Sequence, residues 1–220
     1  EIMPSLVGSE MCIRDREETA DLVAGCFSSR EAVNEETGKF YGVEPDRIYS
    51  SYAEMAKKEA AREDGIDFVS IVTPNFTHYE VAKAFLEAGI HIVCEKPLCF
   101  TIEQGEELEQ LAREKNLLFA VTYTYTGYDM VKFAKELVAK GEIGEVINVN
   151  AEYLQDWLID EIGGGDQTTT KLSVWRTDPE KSGISNCVGD IGTHIEDTVA
   201  YITGLHPKRV AAAVSYTHLR

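Results

Sequence analysis

The 220 residues carry 21 Lys and Arg against 38 Asp and Glu, a formal charge of −17 that repels nucleic-acid phosphates and anionic membranes. At 44% hydrophobic and 27% charged residues the composition is globular, and at roughly 100–200 residues per domain the chain holds one large domain or two modest ones. No apolar run approaches the roughly 20 residues of a membrane span, and Cys12, Cys26, Cys94, Cys99 and Cys187 form no CxxC pair, so the expectation is a cytoplasmic protein with reduced, mostly buried thiols and no nucleic-acid or membrane partner.

Residues 1–16 and 214–220 lack helical or strand periodicity and resemble peptides translated from sequencing-adapter DNA, so both are expected to lie outside the fold as artefacts or disordered ends. Between them, Leu22–Phe27 (LVAGCF) reads as a strand, and Ser28 with Glu31 as the capping box of a helix. Ser51 and Glu54 repeat that device before a helix ending near Gly65, and Asp67–Val72 (DFVSIV) is a β-branched run. Thr77 and Glu80 predict a third cap, for a helix carrying Val81, Ala84, Phe85 and Ala88 and closed by Gly89. His91–Cys94 is the next strand; Thr101 and Gln104 cap a helix with Leu108, Leu111 and Ala112 on one face, and Leu117–Thr122 follows as a strand. Continuously apolar strands alternating with helices predict an α/β fold, a doubly wound parallel sheet of Rossmann type covered on both faces, over residues 17–125.

A truncated α+β domain is predicted over 126–213. Met130, Phe133, Ala134, Leu137 and Val138 mark an amphipathic helix, and Val146–Tyr153 alternates as a half-exposed antiparallel strand would. Glu161–Lys171 is Gly- and Thr-rich and reads as a loop. Asp190–Gly204 reads as a helix with Ile191, Ile195, Val199 and Ile202 inward.

Ligands of an open parallel sheet bind outside the carboxyl ends of its strands. Three segments there carry chemistry: Thr73-Pro74-Asn75 with His78, Glu95-Lys96-Pro97, and Tyr123-Thr124-Tyr125. Pro97 restricts Lys96 to an extended or cis turn that projects its amine into the crevice. Taken singly, Asn75 and Thr77 also suit helix capping, and Lys96 also suits a solvated strand end. Asp190 and His194, four apart at a helix start, project from one face and can poise a base near neutral pH; they equally suit a dipole-complementing Asp and the His it satisfies. Glu196 and Asp197 stand nearby, but no second His sits at metal spacing, and no metal site is expected.

A strand followed by TPNxxH and a helix, a strand followed by EKP, and a distant DxGxH together resemble the Gfo/Idh/MocA family of NAD(P)-dependent oxidoreductases over about residues 17–213. The resemblance implies a sugar, polyol or related acid as substrate, and a homodimer or homotetramer at full length. It implies that Lys96 holds the substrate hydroxyl, that His194 is the acid/base and that Asp190 orients substrate and lysine. Thr73, Pro74, Asn75, His78, Glu95, Lys96 and Pro97 would line the cofactor. Oxidising a secondary alcohol needs a cation at the oxygen and a neutral base, which Lys96 and His194 supply.

The family's glycine-rich GxGxxG turn has no counterpart here and is expected upstream of residue 17; Gly163-Gly164-Gly165 lacks the strand and helix such a turn needs. The chain by itself is therefore expected to be inactive and not to bind NAD(P)H tightly. Phe27-Ser28-Ser29-Arg30 stands where many relatives have an acidic residue for the ribose, and Arg30 favours NADP over NAD. Ser185 and Asn186 replace glycines usual in the family. Trp175 and Arg176 could stack on and bind a sugar or acid, with Trp175 as ordinary core the alternative. Two further readings stay open: a non-catalytic Rossmann binding or regulatory protein, and an NAD-dependent glycosidase of the same family.

Overall fold

A computed structural model describes residues 20–154, 178–185 and 187–213. The described residues group into two compact units, 20–122 with 178–191, and Tyr123–Leu154 with 192–213. The division between the units falls at 122/123. Residues 178–191 nevertheless belong with the first unit, because α6 (Pro179–Ser182) packs on the turn Asn75–Thr77 and Lys96 bonds to Asp190.

In the first unit β1 (Phe68–Ile71), β2 (His91–Cys94) and β3 (Phe119–Val121) form a parallel sheet in that order, with Phe68 opposite His91 and Ile92 opposite Phe119. The crossovers are α3 (His78–Ala88) and α4 (Ile102–Glu114); α1 (Glu31–Phe40) and α2 (Tyr52–Glu59) precede the sheet. Val69, Ile71, Ile92 and Cys94 point to one face and are buried with Phe85, Leu86 and Leu108. Ser70, His91 and Val93 on the other face are half-buried, so among the described residues only one face is fully covered.

Leu22–Phe27 is not the expected regular strand. Gly25 alone makes a parallel bridge to Ile48, through Gly25 N to Arg47 O (3.1 Å) and Tyr49 N to Gly25 O (2.8 Å). An apolar slot of about 670 Å³ is lined by both this segment (Leu22–Phe27) and Phe68–Thr73, with Val81 and Phe85, and among the described residues no ladder joins the segment to β1. A Cβ at Gly25 would stand 2.1 Å from the Phe27 ring, so a larger residue there would displace that ring.

Two of the four predicted caps hold. Ser51 Oγ accepts Glu54 N, and Thr101 Oγ1 accepts Gln104 N while Gln104 Oε1 reaches back to Phe100 N. Ser28 instead accepts Arg30 N, and α1 starts without a side-chain cap because Asn34 does the local bonding: its Oδ1 accepts Phe27 N (2.6 Å) and Ser28 N (3.2 Å), and its Nδ2 donates to Tyr49 O (2.8 Å). Thr77 does not cap α3 either; a 3₁₀ turn over Asn75–Thr77 precedes the helix and turns its hydroxyl toward Thr73 Oγ1 and Pro74 O. Gly89 closes α3 with φ 85°, as expected. Asn34→Ala, which removes the partner of three backbone groups, two of the bonds buried and one part-buried, is expected to destabilise the first unit by about 2–3 kcal/mol in urea unfolding; a loss below about 0.5 kcal/mol would contradict the bracing role.

In the second unit α5 (Asp129–Ala139) packs on α7 (Thr193–Thr203), with Lys135 Nζ 3.8 Å from the Tyr201 ring centroid. The predicted strand Val146–Tyr153 has no ladder partner among the described residues, and apart from the half-buried Val146 it is exposed. The predicted helix Asp190–Gly204 begins as a π turn, Val188–Gly192, before α7. Its most buried side chain is His194, while Ile191, Ile195, Val199 and Ile202 are half-buried. Cys94 is buried, Cys26 and Cys99 are half-buried and Cys187 is exposed, so the thiols are less buried than composition suggested; burial pushes the Cys94 thiol up to about 12.

Candidate active site

Each strand of the first unit ends in a turn fixed by its own sequence. After β1, Thr77 Oγ1 sits 2.7 Å from both Thr73 Oγ1 and Pro74 O, and Thr77 N donates to Pro74 O, so Thr73-Pro74-Asn75 is a tight loop with Asn75 half-buried at its end. After β2, the ladder closes with Glu95 N on Ile71 O, Glu95 Oε2 accepts Lys96 N, and the Lys96–Pro97 peptide is cis. Lys96 Nζ then donates to both Asp190 O (2.7 Å) and Asp190 Oδ1 (2.8 Å), with the two side chains 17% and 29% exposed. This pair joins residues 94 apart and sets an ammonium of fixed position, shielded enough that its charge acts strongly on a bound oxygen.

Asp190 lies in the π turn, where Gly189 is buried; a Cβ there would stand 2.7 Å from Ser185 Oγ. Ser185 O accepts Val188 N, which fastens the same turn. Asn186, Trp175, Arg176 and Gly163-Gly164-Gly165 lie outside the described residues, as do 1–16 and 214–220.

His78 is fully buried, with Nδ1 2.8 Å from Pro97 O and Nε2 2.7 Å from Thr73 O, so both nitrogens are engaged inside the protein beneath the two turns. Phe27 stacks on Tyr41; Ser28 is buried, and Ser29 and Arg30 are exposed at the start of α1. Phe27 and Thr73 both line the apolar slot, which Lys96 and Asp190 do not reach. Thr122 Oγ1, at the carboxyl end of β3, is buried without a hydrogen-bond partner.

In the second unit, Tyr125 and Tyr123 lie against His194, with centroids 4.5 Å and 5.7 Å from the imidazole. Tyr125 also stacks on Tyr153, and the two hydroxyls are 2.6 Å apart. Tyr153 was not foreseen as a site residue: its alternating context pointed to a strand, and nothing local in the sequence links it to Tyr125. Asp197 is held above the usual carboxylate range, by burial first and Glu196 second. Among the described residues no group of three or more His, Cys, Asp or Glu side chains is arranged to hold a metal.

The turns beyond a parallel sheet's carboxyl ends, one carrying a shielded Lys–Asp pair, define the nucleotide-binding half of a Rossmann-type protein. The donors and acceptors at Thr73–Asn75, Glu95 and Lys96, together with the unsatisfied Thr122 hydroxyl, suit the nicotinamide and ribose end of a dinucleotide. No glycine-rich pyrophosphate turn is present among the described residues. The sequence profile of the GFO/IDH/MocA oxidoreductases with NAD-binding Rossmann fold matches residues 8–123, and that of the GFO/IDH/MocA C-terminal domain matches 131–220. The chain belongs to this oxidoreductase family.

An uncharacterised oxidoreductase of Bacillus subtilis (strain 168) is 39% identical over 180 residues, which cover 81% of this chain and 45% of that protein. Levoglucosan dehydrogenase of Pseudarthrobacter phenanthrenivorans is 37% identical over 139 residues, covering 63% of this chain and 33% of the enzyme. The crystal structure of an inositol dehydrogenase homologue complexed with NAD+ from Azotobacter vinelandii superposes with a TM-score of 0.78 at 38% identity, covering 83% of this chain and 46% of that one. The chain thus spans under half the length of these relatives.

Proposed function

We propose that this protein is an NAD(P)-dependent dehydrogenase acting on a secondary alcohol of a sugar, polyol or related acid. The observation that carries the reading is the Lys96 ammonium fixed on Asp190 O and Oδ1 beside the turns of β1 and β2. When bound, the nicotinamide supplies the acceptor for the hydride that leaves the carbinol carbon. Lys96 holds the alcohol oxygen and stabilises charge developing on it, Asp190 aims Lys96, and His194 accepts the hydroxyl proton as the carbonyl forms. Thr73, Pro74, Asn75, Glu95 and Pro97 line the cofactor. Tyr123 and Tyr125 offer ring faces to the apolar face of a sugar, and Tyr153 fixes Tyr125 through the hydroxyl pair.

Relatives named for levoglucosan and inositol support the substrate class. Arg30, exposed at the start of α1 with no carboxylate among Phe27-Ser28-Ser29-Arg30, supports room for a 2′-phosphate and hence NADP. The reading is tested in the complete reading frame containing this chain, by following NAD(P)+ reduction across sugars and polyols. His194→Ala is expected to lower kcat by about 10²–10⁴-fold with little change in cofactor affinity. An unchanged kcat would remove His194 as the base.

A further inference from the structure

The pairing of His78 is unusual for a buried imidazole: Nδ1 lies 2.8 Å from Pro97 O and Nε2 2.7 Å from Thr73 O, and the residue is wholly shielded from water. Both partners are backbone carbonyls, which only accept. A neutral imidazole has one N–H, so one of its nitrogens would set a lone pair against a carbonyl lone pair at hydrogen-bonding distance. We infer that His78 carries a proton on each ring nitrogen and is a cationic cross-brace, tying the turn after β1 to the turn after β2 and thereby positioning Lys96.

The local sequence explains how the ring reaches this place. Residues Asn75–Thr77 form a 3₁₀ turn that makes His78 the first residue of α3, and Nε2 bonds back to Thr73 within the same turn. That contact fixes the ring; the bond to Pro97, 19 residues on, carries the constraint to the other strand end. The last β1–β2 backbone bond is Glu95 N to Ile71 O, and His78 takes hold two residues later, immediately after Lys96. From there the lysine side chain reaches Asp190. A cation in the first turn of a helix opposes the helix dipole, and a buried one loses its hydration, so two charge-assisted bonds to carbonyls are what make the arrangement tenable. A ring with both nitrogens engaged in the interior is a positioning residue for the lysine rather than a group that touches cofactor.

The significance for catalysis rests on the dehydrogenase reading, but the brace is tested without turnover. In the ¹⁵N-labelled chain near pH 7, long-range proton–nitrogen correlation is expected to show both His78 ring nitrogens at the protonated frequency, each with a slowly exchanging proton. One nitrogen at the unprotonated frequency would overturn the inference. In His78→Gln, whose single amide nitrogen cannot occupy both ring-nitrogen positions, exchange of the Lys96 ammonium protons is expected to rise about tenfold, the scale of one lost hydrogen bond. Unchanged Lys96 exchange in a folded His78→Gln would overturn the positioning role, and should that variant not fold, the wild-type ring spectrum still decides. Because neither measurement uses cofactor or substrate, failure of the brace is distinguishable from failure of the dehydrogenase reading.

Discussion

Replacing Lys96 by methionine, in the complete reading frame containing this chain, is expected to lower kcat/KM for NAD(P)+-dependent alcohol oxidation by about 10³-fold, equivalent to about 4 kcal/mol of lost transition-state stabilisation. Methionine keeps most of the apolar stem and removes the charge. It also leaves Asp190 O and Oδ1, now bonded to Nζ at 2.7 and 2.8 Å, without that donor, so the carboxylate loses its anchor as well. On this account the loss appears mainly in kcat, because an ammonium at the reacting oxygen matters most when that oxygen carries developing negative charge. Arginine at 96 is expected to rescue poorly, since a planar fork does not place a point charge where Nζ sits. Unchanged kinetics in Lys96→Met would favour a non-catalytic Rossmann protein.

The largest stability effect is expected at Glu59. Its carboxylate is wholly buried and is gripped by Arg47 Nε (3.1 Å), Arg47 Nη2 (2.5 Å) and the Tyr49 hydroxyl (2.6 Å). Glu59→Ala leaves the Arg47 guanidinium buried without this partner, and the expected cost is about 3–5 kcal/mol, lowering the thermal midpoint by roughly 10 °C. A shift of less than about 2 °C would contradict it. The same cluster sets an alkaline limit. Burial first, then the bond to Glu59, pushes the Tyr49 phenol from 10.0 up to about 12. A raised folded value means the contribution is fully present below pH 10 and is lost as pH rises from there toward about 12. Tyr49→Phe is expected to remove that increment of alkaline sensitivity.

Helices α2 to α4, strands β1 to β3 and the turns that end them were legible because each is specified locally: by Ser51, by Thr101 with Gln104, by Gly89, and by β-branched runs bounded by Gly or Pro. What depends on distant partners was not. Leu22–Phe27 has strand composition, but a strand needs a ladder, and among the described residues this segment makes only the bridge from Gly25 to Ile48. Val146–Tyr153 alternates correctly and likewise lacks a partner among the described residues. Lys96 and Asp190 were each legible as chemistry, through Pro97 and the DxGxH spacing, but their bond spans 94 residues, and only the family resemblance, which has Asp190 orienting the lysine, pointed to it. Asn34, Arg47 and Glu59 were missed for the same reason, since a buried polar group is recognised by its partners and not by its neighbours in sequence.

The central claim is that a hydride leaves a carbinol carbon for a nicotinamide, and its most direct measurement is isotopic. The complete reading frame containing this chain is incubated with NAD+ or NADP+ and a panel of sugars and cyclic polyols deuterated at the carbinol carbons, and the reduced cofactor is examined for label. The account predicts net accumulation of deuterium at the nicotinamide ring with at least one of them, abolished by Lys96→Met. Cleaved glycoside without accumulated labelled cofactor would identify the glycosidase chemistry instead, and no label with any substrate, despite measurable cofactor binding, would contradict the dehydrogenase account.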